Sequence, residues 1–542
     1  MDLMPYLCGK MVNMVAYKYP IGIQTFPEII RGEYVYVDKT DVVWQLAHYA
    51  KYVFLSRPRR FGKSLLTSTL ESYFLGKKGL FEGLKIMGLE QEWQEYPVLH
   101  FDLSTAKGHP ATEALSNALI FMLQPMCEKY GVDTSGLTPG QGVTSLIREA
   151  FQKTGKQVVI LIDEYDAPLL DVMHDEQALS EVRRVMQEFY QPLKASEAMV
   201  KFCMLTGITR LSQLNIFSTL NNLNNVTLQP EFAAICGITE EELLTQLQAD
   251  IHRLADEYGC TDEEMAEKLK ERYDGYHFSH QSPDVYNPYS LLSAFANRKV
   301  ANYWFETGTP TFLIRMMKHF KFDITNMDGI EATDYSINRP TEAMTTMIPL
   351  LYQSGYLTIK DYDKEGEIYT LSIPNREVRI GYSDGLLPVY VGLEGEDVQA
   401  GFALKFWRAL KVGDIDGAMR EMQAYMAGIP YVEGFKQKLA EAATAEGFYE
   451  YSMYLIFNML NCYARTQVKC AGGRVDMVVW MPDSIYVFEL KVNDTAQHAL
   501  EQIEGKGYAI PYQTDGRRVV KVGVKMNPET RTVEEWRVAE AS

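Results

Sequence analysis

Short apolar runs alternate with helical patterns over the first two hundred residues. Tyr52–Leu55 is a short apolar run, followed by a polar turn and a helical periodicity from Lys63 through Leu75. Pro97–Leu103, Gln157–Ile162 and Ala198–Leu205 are further buried-strand runs, and Thr112–Tyr130 is amphipathic. Strands without polar alternation, separated by helices, predict an α/β fold with a parallel sheet. Ahead of the first run, Tyr34-Val35-Tyr36-Val37 reads as a small strand. Asp38-Lys39-Thr40 then opens a helix to about Ala50, with Asp38 or Thr40 as N-cap.

The pattern changes further on. Thr239–Tyr273 is helical and acidic; the acidic runs Glu240–Glu242 and Asp262–Glu264 each follow a Thr, as helix N-termini do. Thr345–Leu351 reads as a helix, and Tyr356–Lys360 with Ile368–Leu371 alternate like a hairpin. That combination predicts a winged-helix-like unit. Val398–Ala445 is helical. The tail predicts a helix over Phe448–Leu460, strands over Gly473–Trp480 and Ile485–Val492, and a helix over Ala496–Tyr508. The expected domains are an ATPase core (17–235), a helical lid (236–335), the winged-helix-like unit (336–400), a helical linker (401–445) and an α/β tail (446–542).

Candidate chemistry sits at the first strand's end. Strand, turn, Gly62-Lys63-Ser64 and helix is the layout of a phosphate-binding P-loop, although Arg57 stands where its first glycine belongs. Lys51–Lys63 holds five cations (Lys51, Arg57, Arg59, Arg60, Lys63) and no acid, which suits a polyphosphate. A solvated basic turn is the bland alternative. The Gln157–Ile162 run ends in Asp163 and Glu164, at the edge where ligands sit in open α/β sheets. Asp163 fits an aspartate that holds Mg²⁺, and Glu164 a general base for water. After the fourth run, Thr206 or Thr209 is placed to sense a γ-phosphate, and Arg210 to stabilise transition-state charge. The expected nucleotide-binding residues are Arg59, Arg60, Phe61, Gly62, Lys63, Ser64, Leu65 and Asp163, with Ser64 and Asp163 at Mg²⁺.

A second centre lies in the tail. Asp476 and Glu489 can lie close on adjacent strands, and Glu489 shares a face with Lys491. Two carboxylates and an amine make a hard-cation site suited to phosphodiester chemistry. A cross-strand ion pair from Glu489 to Lys491 or Arg474 is the plainer reading.

Composition bounds the rest. With 542 residues, 46% hydrophobic and 23% charged, the chain predicts two to four soluble domains. A net charge of −18 argues against broad, nonspecific coating of nucleic acid. The tail from Glu446 to Ser542 carries 11 Lys/Arg against 13 Asp/Glu, a weak field for DNA. Seven scattered cysteines suggest free thiols in a cytoplasmic setting. No apolar run approaches the ~20 residues of a membrane span. The first fifteen residues read as a loose extension.

Taken together, the motifs resemble a bacterial AAA-ATPase-like family with a C-terminal PD-(D/E)XK nuclease-superfamily domain. The marks are Pro20–Ile23, Tyr36–Thr40, Arg57–Ser64, Ile162–Asp166, Tyr286–Pro288, Tyr303–Gly308, Pro374–Val378 and Phe488–Lys491. Arg57 at the first P-loop glycine looks like that family's norm. The resemblance implies ATP and Mg²⁺ as cofactors, with Lys63, Ser64, Asp163 and Glu164 serving them. It implies a nuclease centre at Asp476, Glu489 and Lys491, and DNA as partner. Glu446 would be an extra acid, and Gln502 and Tyr508 look similar to the Gln/Tyr pair of RecB-like nucleases. A homo-oligomer is a further expectation, and a nucleotide-gated switch with a merely binding tail is the alternative function.

Overall fold

The computed structural model describes residues 18–540 except 107, 109, 174, 210–222, 306–310, 321, 326, 340–343, 391–395, 428–444, 460–462 and 531. They fall into two compact units. The first spans residues up to Leu269 together with Gln281–Val300; the second comprises Lys270–His280 and the chain from Ala301 onward.

The first unit is built on five strands: β1 (Tyr52–Ser56), β2 (Val98–Asp102), β3 (Val158–Asp163), β4 (Val200–Gly207) and the short β5 (Asn224–Asn225). Their order is β2-β3-β4-β1-β5, and every pair is parallel. β1 and β3 are buried at every position, because helices cover both faces of the sheet. Helices Ala111–Tyr130, Pro139–Thr154 and Glu176–Ala195 pack Leu119, Leu146, Ile147 and Phe189 against Phe54, Ile160 and Cys203. Helix Lys63–Phe74 takes the opposite face, where the Phe74 ring lies 5.2 Å from Phe202. This is the α/β architecture with a parallel P-loop-type sheet that the apolar runs predict.

The N-cap position of helix Thr40–Tyr49 falls on Lys39, between the two expected candidates, and carries no side-chain cap; Asp38, one residue earlier, accepts at Oδ1 from the Thr40 N–H (2.9 Å) and hydroxyl (2.7 Å). Thr239 builds a capping box with Glu242, so the first acidic run is a helix start. The small strand expected at Tyr34–Val37 does not form. Among the described residues an isolated bridge joins Tyr34 to Lys18, and no described strand lies alongside to complete a ladder. β6 (Ile238–Thr239) and β7 (Val285–Tyr286) pair antiparallel.

The second unit holds two sheets. β8 (Asp328–Thr333), β9 (Thr358–Asp363) and β10 (Ile368–Ser372) form an antiparallel sheet in the order β8-β10-β9, with helix Ile348–Gln353 ahead of the hairpin, a winged-helix-like arrangement. The tail sheet runs β11 (Tyr463–Cys470), β12 (Gly473–Trp480), β13 (Ser484–Lys491), β14 (Arg518–Asn527) and β15 (Thr532–Glu540) in sequence order. Only β13 and β14 are parallel, and helix Ala496–Gly505 makes the crossover between them. Helix Ala445–Met459 packs Phe457 on Phe488, 5.4 Å between rings. No helix among the described residues is long and apolar enough to cross a membrane.

The crossover helix lies unusually close to β14. A Cβ on Gly523 would sit 2.3 Å from the Ala496 carbonyl oxygen and 2.7 Å from the Leu500 nitrogen, both backbone atoms that cannot swing aside. Gly523→Ala should therefore cost roughly 1–3 kcal/mol by overpacking, read as a lower urea midpoint. Gly505→Ala, where a Cβ meets nothing within 4 Å, should leave the midpoint unchanged or slightly raised.

Candidate functional site

In the first unit the turn after β1 is set by its backbone. Arg60 (φ 65°) and Gly62 (φ 87°) both take the left-handed conformation, and Gly62 immediately precedes the helix that starts at Lys63. A side chain at 62 would be strained there whatever the space around it. Lys63 is buried, and its amine donates to the carbonyl oxygens of Arg57 and Pro58, 3.0 Å each. Burial pulls that amine below its ordinary value, while Asp163, Glu164 and Asp166 oppose the pull.

Asp163 ends β3 on the same side of the sheet. It accepts a hydrogen bond from the Ser64 side chain and one from the Glu164 N–H (3.0 Å). Burial raises the proton affinity of both Asp163 and Glu164, with Lys63 acting against the rise. Glu164 itself has a positive φ of 48°, uncommon for a side-chain-bearing residue. Lys63, Ser64, Asp163 and Glu164 are thus brought together at the C-terminal edge of the sheet. Ser64 and Asp163 present the oxygen donors that suit Mg²⁺.

Leu65, Phe61 and Gly62 line a mostly apolar cavity that is partly open to solvent. Its other walls include Pro20, Val35–Val37 and Ile235–Ile238. Arg59 is exposed, and Arg60 stacks on the Tyr289 ring at 4.0 Å. Two of the five cations counted toward a polyphosphate point elsewhere. Lys51 pairs with Glu197 at the far end of β1. The Arg57 guanidinium turns inward to four backbone carbonyls. Arg210 lies outside the described residues.

Sequence reading gave Asp166 no role. It is buried, and one of its oxygens accepts from the Thr209 N–H and hydroxyl, 2.6 Å each. The Thr209 hydroxyl is thereby committed to structure. Thr206 shares strand parity with Phe202 and so faces helix Lys63–Phe74. Its hydroxyl is buried with no hydrogen-bond partner among the described residues.

In the second unit, β12 and β13 bring Asp476, Glu489 and Lys491 together. Asp476 Oδ2 accepts from the Leu490 N–H at 2.7 Å, and Lys491 Nζ lies 3.1 Å from Glu489 Oε1. The plainer ion pair thus exists within the cluster, though along β13 and not across strands. Gln502, on the crossover helix, also donates to Glu489 Oε1, whereas Tyr508 is buried in the core beneath the sheet. The acid that approaches from the preceding helix is Glu450. Gln467 Nε2 bridges it (2.9 Å) to Asp476 (3.4 Å). Glu446 lies one turn earlier, and its side chain is outside the described residues. A helical acid spaced four residues from another was the available signal, but sequence alone does not show which one meets the sheet.

Burial pushes Glu489 up to about 7, with Asp476 adding to the rise and Lys491 opposing it. Glu450 is pushed to about 7, again mainly by burial. The second oxygen of Glu489, Oε2, is buried and makes no well-formed hydrogen bond among the described residues. A buried carboxylate oxygen left in this way suits a hard cation. Among the described residues, however, no group of three or more His, Cys, Asp and Glu side chains gathers as a metal site would.

A family model described as "Predicted AAA-ATPase" matches residues 20–217, and one for the PD-(D/E)XK nuclease superfamily matches 444–536. A relative from Azotobacter chroococcum mcd 1, called "Uncharacterized protein in vnfD 5'region", is 32% identical over 522 residues, covering 95% of this chain and 98% of its own. The chain belongs to this AAA-ATPase-like family with a PD-(D/E)XK nuclease-superfamily tail. The two matched regions are those that carry the two clusters. In this family member the P-loop cluster falls within the AAA-ATPase match, and Asp476, Glu489 and Lys491 fall within the nuclease-superfamily match.

The raised carboxyls carry a pH signature. Glu489 holds its proton up to about 7 when folded, against an ordinary value of 4.5. Its contribution to stability is complete below 4.5 and is lost as pH rises through about 7, because the unfolded chain releases the proton first. In metal-free buffer the urea midpoint should fall between pH 5 and pH 8, and fall less in Glu489→Gln. An equal or steeper fall in the variant would contradict the assignment.

Proposed function

We propose that this chain binds ATP with Mg²⁺ at the β1–β3 edge, hydrolyses it, and couples that cycle to Mg²⁺-dependent cleavage of DNA by its tail. The supporting observation is the gathering of Lys63, Ser64, Asp163 and Glu164 beside an apolar cavity. Backbone N–H groups at Gly62–Leu65 would hold phosphate oxygens at the start of the helix, and Lys63 would reach the β- and γ-phosphates. Ser64 and Asp163 would hold Mg²⁺, which supplies charge neutralisation. Glu164 would orient the attacking water and take its proton. Thr206, with its uncommitted hydroxyl, is the better of the two threonines to sense the γ-phosphate. Arg210 would stabilise transition-state charge.

In the tail, Asp476 and Glu489 would hold the divalent ion, which supplies polarisation of the phosphodiester and a lowered water pKa. Lys491 would stabilise the charge that develops on the cleaved phosphate, and Gln502 would fix Glu489. The setting we assign is the cytoplasm, where ATP and DNA are available, with a homo-oligomer as the working assembly.

One observation favours a second reading. The Lys491 ammonium is engaged by Glu489, and the described carboxylates fall short of a three-acid metal group. Under that reading the tail only binds nucleic acid or a partner, and nucleotide binding gates it.

ATP turnover by the purified protein, with and without DNA, tests the first half. Lys63→Ala should lower it at least ~100-fold, and Glu164→Gln by about 10²–10⁴. Turnover indifferent to Lys63 would remove the ATPase proposal. Mg²⁺-dependent DNA cleavage lost in Asp476→Ala supports the nuclease half. Tight ATP binding with no cleavage by the intact protein supports the switch.

A further inference from the structure

Arg57 occupies the first position of the phosphate loop yet does not face it. It is 1% exposed. Nη1 donates to the carbonyl oxygens of Ser56 (2.8 Å) and Thr227 (2.9 Å), and Nη2 to those of Phe232 (3.0 Å) and Ala233 (3.2 Å). A guanidinium is always charged, and burying one is costly unless its donors are met. Here the planar fork meets two carbonyls on each arm, a geometry a single ammonium does not reproduce.

The residues it grips matter. Phe232 and Ala233 lead directly into Ile235–Ile238, which form one wall of the apolar cavity beside Gly62 and Leu65. A second cation holds the same segment. Lys39 Nζ donates to the Ala234 carbonyl (2.8 Å) and pairs with Glu242 at 2.7 Å. Lys39 also lines the cavity. Three successive carbonyls, Phe232 to Ala234, are therefore held by two cations, one from the start of the phosphate loop and one from the segment ahead of β1. Glu242 ties the clamp onward, because its carboxylate also accepts from the Thr239 N–H (2.8 Å) at the start of helix Glu240–Gln246.

We propose that Arg57 is a positioning residue for the base end of the bound nucleotide, acting with Lys39 to hold Phe232–Ala234 so that Ile235–Ile238 close the cavity on the nucleobase. The inference rests on the reading that this cavity takes a nucleotide. It assigns Arg57 to the base and Lys63 to the phosphates, although both belong to one loop. Phosphate binding and base binding are then separable by substitution, which a merely structural arginine would not make them.

The test is calorimetric titration of the full-length protein with Mg²⁺-ATP and, separately, with Mg²⁺-tripolyphosphate, which offers the phosphates without a base. Arg57→Met and Lys39→Met should each weaken ATP at least ~10-fold while changing tripolyphosphate by less than about threefold, and Arg57→Lys should fall between. Lys63→Ala should lose both ligands. Equal loss of ATP and tripolyphosphate in Arg57→Met would make Arg57 part of the phosphate site and overturn the proposal. Wild-type ATP affinity in Arg57→Met would overturn it as well. Should Arg57→Met not fold, Lys39→Met and Arg57→Lys decide by the same split. A wild-type protein that binds neither ligand would instead overturn the nucleotide reading itself, an outcome distinct from either failure of Arg57.

Discussion

Burying Val158–Ile162 on both faces of a parallel sheet leaves β3 only its ends to present polar groups, and its acids gather at the C-terminal one. Asp163, Glu164 and Asp166 crowd there for that reason. Crowding three acids at the rim of an apolar core has consequences of its own. Burial raises the proton affinity of Asp163 and Glu164, and it depresses that of the Lys63 amine which partly compensates them. Asp166 turns to N–H and hydroxyl donors at the end of β4. The same carboxylate thereby locks the ends of two neighbouring strands to each other. The polar edge is a by-product of how the core is packed, and the ligand chemistry is built from it.

The tail reaches a comparable result by another route. Its cluster comes from an antiparallel pair, β12 and β13, and from helices on either side of the strands. Gln467, with a positive φ of 50°, supplies the neutral amide that separates Glu450 from Asp476. Two acids flanking an amide repel less than two acids in contact. Glu489 is steadied instead by Lys491 and Gln502, from its own strand and from the crossover helix.

Much of this was legible along the chain. The apolar runs gave β1 to β4 because a strand buried on both faces needs no alternation. Gly62-Lys63-Ser64 and the Asp163-Glu164 pair were readable from spacing, as were Asp476, Glu489 and Lys491. Direction was not. Lys51 and Arg57 are near Lys63 in sequence, but one lies at the far end of β1 and the other turns into the core. Glu450 and Glu446 are one helical turn apart, and only the packed helix distinguishes them. Tyr34–Val37 had the composition of a strand, but no described strand pairs with it. Arg518–Asn527 alternates plainly enough to be read as a strand, and the expectation stopped short of it at the preceding helix.

The segment ahead of β1 shows that regular structure and order are separate properties. Residues 35–39 form no helix or strand, yet the Val35 N–H donates to Lys18 (2.8 Å) and the Asp38 N–H to Gln246 (3.1 Å). Asp38 Oδ2 accepts from the Lys85 N–H at 2.7 Å, so one carboxylate fastens this stretch both to the first residue of helix Thr40–Tyr49 and to a turn more than forty residues downstream. Amide exchange there is governed by opening of these distant partners rather than by fraying of a local coil. A circular permutation that cut the chain between Val35 and Lys39 would thus sever a tertiary seam, although secondary structure alone marks the stretch as a loop.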